Sequence, residues 1–234
     1  MPAEISNIQG GGGGEVEPIV LSGACSYACS GSLGSKYIEL FGNTISTTNL
    51  YSNCAYMFYI YQLKKVPFEL NFHKGSTVNV GYMFSESAIE EVPTFNKFNP
   101  SNLSSMFNSC EYLRNLPDNF GENWDWVYIH NNRANLTSIF SSCCSLRSIP
   151  ESFLNNLWST ASSAYSGNFY NSFNSCFSLD EINGLRFNSA TMTSNMFLNA
   201  FNACTRVKDI LFDLEEDGSV QTVQCKSQTI DLTA

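Results

Sequence analysis

The apolar positions of this chain recur in one frame. Met106-Phe107-Asn-Ser-Cys110-Glu-Tyr-Leu113-Arg-Asn-Leu116-Pro117 is echoed by Ile139-Phe140-Ser-Ser-Cys143-Cys-Ser-Leu146-Arg-Ser-Ile149-Pro150. Further copies stand at Phe173-Asn-Ser-Cys176-Phe-Ser-Leu179-Asp-Glu-Ile182 and at Phe201-Asn-Ala-Cys204-Thr-Arg-Val207-Lys-Asp-Ile210. Two earlier copies, opening at Met57-Phe58 and Met83-Phe84 and closing at Val66-Pro67 and Val92-Pro93, are one residue shorter. The six phenylalanines are 26, 23, 33, 33 and 28 residues apart, within the period range of stacked repeat architectures.

Within a copy, Leu-x-x-Ile-Pro is too short for a helix, and its branched residues ending at proline predict a brief strand. Ahead of it, Asn102-Leu-Ser-Ser-Met-Phe107 and Asn135-Leu-Thr-Ser-Ile-Phe140 place apolar residues four apart behind an asparagine. That spacing predicts a helical turn with Asn as N-cap. In the first and last copies the apolar residue stands further off (Leu50 to Phe58, Met192 to Phe201), roughly one extra helical turn. The two longest intervals hold inserted loops with all three tryptophans, over residues 121–128 and 157–165. The expected fold class is an α/β repeat: a solenoid of short parallel strands and short helical turns, capped by β elements at both ends.

Four regions follow. Residues 1–14 form a polar tip and a glycine tether, Gly10 to Gly14. Residues 15–48 form a β cap, with strand-like stretches at 18–21 and 36–41 around a Gly/Ser turn at 30–35. Repeats fill 49–212, and 213–234 closes the stack with a hairpin turning at Asp217-Gly218.

Composition adds less than the pattern does. The chain has 234 residues, 43% hydrophobic and only 14% charged, enough for one sizeable core. A net charge of −9 disfavours a phosphate-backbone partner, so nucleic acid is not expected. The first residues carry neither a basic n-region nor an apolar h-region, and no run approaches a membrane span. Of the nine cysteines, Cys110, Cys143, Cys176 and Cys204 share one repeat position, which points to a packed row rather than to metal or redox chemistry. Cys25 and Cys29 have no second pair at zinc-finger spacing and are read as structural.

Catalytic motifs are sparse. His73 and His130 lack partners at ligand spacing, and no phosphate loop, nucleophile elbow or zinc-protease motif is found. Neither a catalytic residue, a metal nor a cofactor is therefore assigned. Carboxylate pairs do occur at Glu90-Glu91 and Asp180-Glu181, the arrangement a glycosidase uses. They occupy two variable slots of the strand frame, which in order read Lys64-Lys65, Glu90-Glu91, Arg114-Asn115, Arg147-Ser148, Asp180-Glu181 and Lys208-Asp209. Stacked in register, these slots form either a ladder of exposed ion pairs that keeps register or a binding stripe. Trp124, Trp126, Tyr128, Trp158 and Tyr165 on the inserted loops either contact ligand or fold down on the flank. Asn102-Leu-Ser and Asn135-Leu-Thr match the glycosylation acceptor pattern, and capping accounts for both.

The frame Asn-x-Ser-x-Met-Phe-x-x-Cys-x-x-Leu-x-x-Ile-Pro resembles the BspA-like leucine-rich repeats, most closely the Met-Phe-x-x-Cys repeats of mycoplasma lipoproteins. The resemblance covers about residues 49–212. The fifth copy has Asn183 for the proline, the sixth Leu211, and the first two lack the cysteine. It implies a leucine-rich-repeat solenoid with a parallel sheet on one face, acting in adhesion or recognition at surfaces without enzymatic activity. Similar repeats also occur in bacteriophage virion proteins, which reach the exterior by assembly and lysis. A virion-surface or tail-associated module is therefore expected, joined to other virion proteins through its N-terminal segment and binding a host-surface glycan or protein. The alternatives are a bacterial cell-surface adhesin and, third, a glycan-cleaving enzyme.

Overall fold

The computed structural model describes residues 19–131, 134–150, 152–153, 170–180, 182–187, 199–206, 210–214, 222–225 and 228–231. It begins with β1 (Ile19–Gly23), a turn, α1 (Gly31–Phe41) and β2 (Ile45–Leu50). Short strands follow: β3 (Ser52–Asn53), β4 (Leu70–Asn71), β5 (Val78–Asn79), β6 (Phe95–Asn96) and β7 (Pro100–Asn102). Then come α2 (Trp126–Asn131), β8 (Ile182–Phe187), β9 (Ile210–Leu214), β10 (Thr222–Cys225) and β11 (Gln228–Asp231). All described pairings are parallel except β10 with β11.

Successive copies of the frame lie against one another through their backbones. The Phe58 N–H donates to Met83 O at 2.8 Å, Phe84 to Met106, Phe107 to Ile139, Phe140 to Ser172 and Phe173 to Ala200. The rings follow suit. Centroids of Phe58, Phe84, Phe107, Phe140, Phe173 and Phe201 stand 5.0, 5.4, 5.4, 5.8 and 5.3 Å apart in turn, with interplanar angles of 12° or less. Each ring is buried, and burying one is worth roughly 2–3 kcal/mol. Leu113, Leu146 and Leu179 are likewise buried, and the residues after them are bonded in series, Arg147 N–H to Arg114 O and Asp180 N–H to Arg147 O. Val207 lies outside the described residues.

The segment before the phenylalanine is not the helical turn that its spacing predicts. Ser105 and Ser109 have φ of 54° and 58°, and Met106, Asn108 and Cys110 each donate to the carbonyl three residues back, which makes a run of overlapping β-turns. The intervening N–H groups of Leu103, Ser105, Phe107 and Ser109 point to the next copy. A helix would spend those donors within its own copy. Turns release every second one for stacking.

Strands also sit elsewhere than expected. They lie at the asparagine ahead of the turns (β3, β5, β7 and the Asn102–Asn135 bridge) and after the proline (β4, β6), whereas no strand is assigned to the Leu-x-x-Ile segments of the first three copies. The asparagine is indeed a cap, of an Asx turn. The side-chain oxygens of Asn53, Asn79, Asn102 and Asn135 accept the N–H two residues on, and Asn102 Nδ2 donates to Asn79 Oδ1 at 3.0 Å.

At the N-terminal end the β cap contains a helix. Residues 31–41 form α1 instead of a turn and a strand. Just before it, Cys25 to Gly31 make a further copy: Tyr27 has φ 60°, the Cys29 N–H donates to Met57 O, and Gly31 to Tyr59 O. Cys29 replaces the phenylalanine there. At the other end, β9 pairs with β8 and β10 with β11, and the expected turn at Asp217-Gly218 lies outside the described residues. The same holds for residues 1–18, including the glycine tether.

Candidate functional site

The variable slots form an exposed row. The Glu90 N–H donates to Lys64 O, and the Lys64 Nζ to Glu90 Oε1 distance is 2.9 Å. Lys64, Lys65, Glu91, Arg114, Asn115, Arg147 and Asp180 are exposed, and Glu90 is half-buried. The alternation of sign is incomplete, because Arg114 and Arg147 are backbone neighbours and Asp180 pairs with Arg206 at 3.8 Å. Glu181 and Lys208 lie outside the described residues. Exposed pairs of this kind are screened by solvent and contribute little to stability. The Lys64 hydrogen bond, helped by attraction to Lys64 and Arg114, holds the Glu90 carboxyl below its usual range, whereas a general acid needs the opposite shift.

The first inserted loop packs inward. Trp124 and Trp126 are 7% and 5% exposed, so neither is a surface contact. Trp124 sits at 4.8 Å from Phe98 and 5.0 Å from Phe120, and Trp126 Nε1 donates to Gly121 O at 2.7 Å. The Trp126 indole N–H is thus satisfied locally, so the ring is buried with its polar end paired. Tyr128 is half-buried on α2. Trp158 and Tyr165 lie outside the described residues.

The cysteine row has a specific role. Sγ of Cys110, Cys143, Cys176 and Cys204 donates to the carbonyls of Phe84, Phe107, Phe140 and Phe173, each in the preceding copy, at 2.9 to 3.1 Å. In the second copy Ser87 takes the slot, 3.4 Å from Cys110 Sγ. Burial pushes the Cys110 thiol up to about 12 and Cys143 well above its ordinary value, so these thiols stay protonated and donate. Among the described residues, no group of three or more His, Cys, Asp or Glu is placed to hold a metal ion. Alkylation of the folded protein at pH 8, followed by peptide mass mapping, is expected to modify the half-buried Cys144 first among the cysteines of the described side chains. The four repeat thiols should react only with unfolding. Rapid labelling of Cys143 in the folded state would contradict the row.

A second row, exposed at Tyr27 and Tyr82 and half-buried at Tyr56, was not read from the sequence. Tyr27, Tyr56 and Tyr82 stand two residues before the frame's phenylalanine position in three successive copies. Their rings stack at 4.7 and 4.9 Å, within 5° of parallel. All three have positive φ, a conformation that costs a bulky residue. Tyr59 meets Tyr56 edge-on at 5.6 Å and donates its hydroxyl to Glu86 Oε1 at 3.0 Å. Beside it, Ile60, Gln62, Glu86, Glu111 and Tyr112 border a groove of about 340 Å³. The signal that would have exposed this row is the Cys25 to Gly31 copy, without which Tyr27 has no register. Among the described residues no helix is long and apolar enough to cross a membrane. Comparisons with protein-family models, curated proteins and solved structures find no match for the chain.

Proposed function

We propose that this chain is a leucine-rich-repeat solenoid of the BspA-like kind acting as a non-enzymatic recognition module, most simply on a bacteriophage virion surface or tail. The observation that carries this reading is the alignment of exposed and half-buried side chains into rows across copies. Tyr27, Tyr56 and Tyr82 form one, and Lys64, Glu90, Arg114, Arg147 and Asp180 another. Repeat stacks present such extended faces to partners, and large exposed aromatic patches on soluble proteins mark contact surfaces. A host-surface glycan or protein is the ligand class, and the N-terminal segment is the attachment to other virion proteins. A bacterial cell-surface adhesin would use the same faces.

Immunogold labelling with antibody raised against the chain separates the two settings. Label on purified virions is the expected result. Label confined to bacterial envelopes, with no virion signal, would replace the virion reading by the adhesin one.

A further inference from the structure

We propose that the tyrosine row and the groove beside it form a binding site for a neutral glycan, with Tyr82, Tyr112, Ile60 and Glu111 in direct contact. The inference deepens the recognition function above and rests on it. Tyr82 stacks on Tyr56 through one ring face, and the next position in the row is Ser105, so the row of rings ends there. Tyr82 is 38% exposed. The apolar face of a pyranose fits against such a ring, which has few rotatable bonds to freeze on binding.

The groove supplies the polar half of the site. Gln62, Glu86 and Glu111 line it between the exposed walls Ile60 and Tyr112, which are 41% and 56% exposed. Carboxylates and an amide together accept from and donate to sugar hydroxyls. Charge decides among ligands. No lysine or arginine lines the groove, and the chain carries −9 overall, so an acidic polymer is repelled. A cationic ligand would find Glu86 already engaged by the Tyr59 hydroxyl. Protein hot spots are enclosed, desolvated pockets, whereas this groove is open and rimmed by polar groups. Hydroxyl-bearing, uncharged rings suit both halves.

Left-handed backbone at Tyr56, Tyr82, Ile60 and Glu86, with φ from 53° to 59°, holds these side chains outward at a conformational cost. Later copies fill the tyrosine position with Ser105, Ser138, Asn171 and Asn199, residues that accept positive φ more readily. The aromatic residues are therefore placed against local preference only at this end of the chain.

The test is a binding panel on the full chain with immobilised neutral oligosaccharides (chito-, cello-, malto- and galacto-series), oligogalacturonate as the acidic arm and chitosan oligomers as the cationic arm. At least one neutral series should bind. Tyr82→Ala and Tyr112→Ala should each weaken it about tenfold, the equivalent of one lost stacking contact. Lys74→Gln, in the exposed turn after β4 and outside the groove, should leave it unchanged. Tyr112 is so exposed that its replacement serves even if Tyr82→Ala disturbs the row. Absence of neutral binding, preference for the acidic or cationic arm, or full affinity in Tyr112→Ala would each overturn the assignment. Labelling of virions or envelopes without neutral-glycan binding sinks only the glycan class, whereas absence of label on both together with absence of glycan binding sinks the recognition reading.

Discussion

Replacing Phe140 by alanine is expected to cost about 3–5 kcal/mol, the range for deleting a fully buried aromatic ring. Phe140 is fully buried between Phe107 at 5.4 Å and Phe173 at 5.8 Å, with Phe120 and Phe153 edge-on at 6.2 Å. Neighbouring rings cannot collapse into the gap, because each is fixed by its own stack. In a repeat stack stability is carried by contacts between nearest neighbours, so the loss also divides the chain into two unequal blocks. Denaturant melts followed by circular dichroism should shift by that amount. Thiol reactivity should locate the break, with Cys176 and Cys204 becoming accessible at lower denaturant than Cys110. A cost below about 1 kcal/mol would show that the ring row does not hold the copies together.

The same row explains which parts of the fold were readable from residues alone. Phe recurs at a fixed offset because each ring must meet its equivalent in the next copy, and Cys because each thiol must reach the phenylalanine carbonyl of the preceding one, and those demands survive in the sequence. Backbone conformation was less visible. Leu103 and Phe107 are four apart in a helix and in a pair of overlapping turns alike, so periodicity could not separate the two. The discriminating residues are Ser105 and Ser109, and their counterparts Ser138, Ser142, Asn171 and Ser175, which sit at positive φ. Tyr56, Ile60, Tyr82 and Glu86 occupy the same positions and hide the rule.

Site residues divide along similar lines. The charged slots were legible because they lie between two anchored apolar positions, Leu113 and Leu116 for example, which fix their outward direction. The tryptophans were ambiguous because an inserted loop has no such frame, and Trp124 found its partners, Phe98 and Phe120, in packing that no local spacing encodes. The tyrosine row needed register between Tyr27 and Tyr56, and Cys29 in the phenylalanine position concealed it.

Gly34→Ala is the second change with a large expected effect, and its sign is informative. By helix propensity alone, alanine within α1 should stabilise by about 1 kcal/mol. Packing opposes this. A Cβ on Gly34 would collide with the Cys29 carbonyl carbon and oxygen, both backbone atoms with no rotamer to yield. Cys29 cannot retreat, because its N–H is bonded to Met57 O at 2.9 Å and its side chain is buried. Helix α1 cannot retreat cheaply either, since Ile38 is buried and Ser35 Oγ accepts the Gln62 N–H at 2.7 Å. Overpacking against fixed atoms should dominate, giving a net loss of roughly 3 kcal/mol. Gly75→Ala is the control: it has φ +79° and nothing within 4 Å of a new Cβ, so only conformational strain of about 1–2 kcal/mol applies. Hydrogen exchange should report the difference, with Gln62 losing protection in Gly34→Ala and keeping it in Gly75→Ala. A stabilised Gly34→Ala would mean that α1 does not approach Cys29 as closely as described, and that the cap is held by the helix itself rather than by its contact with the first copy.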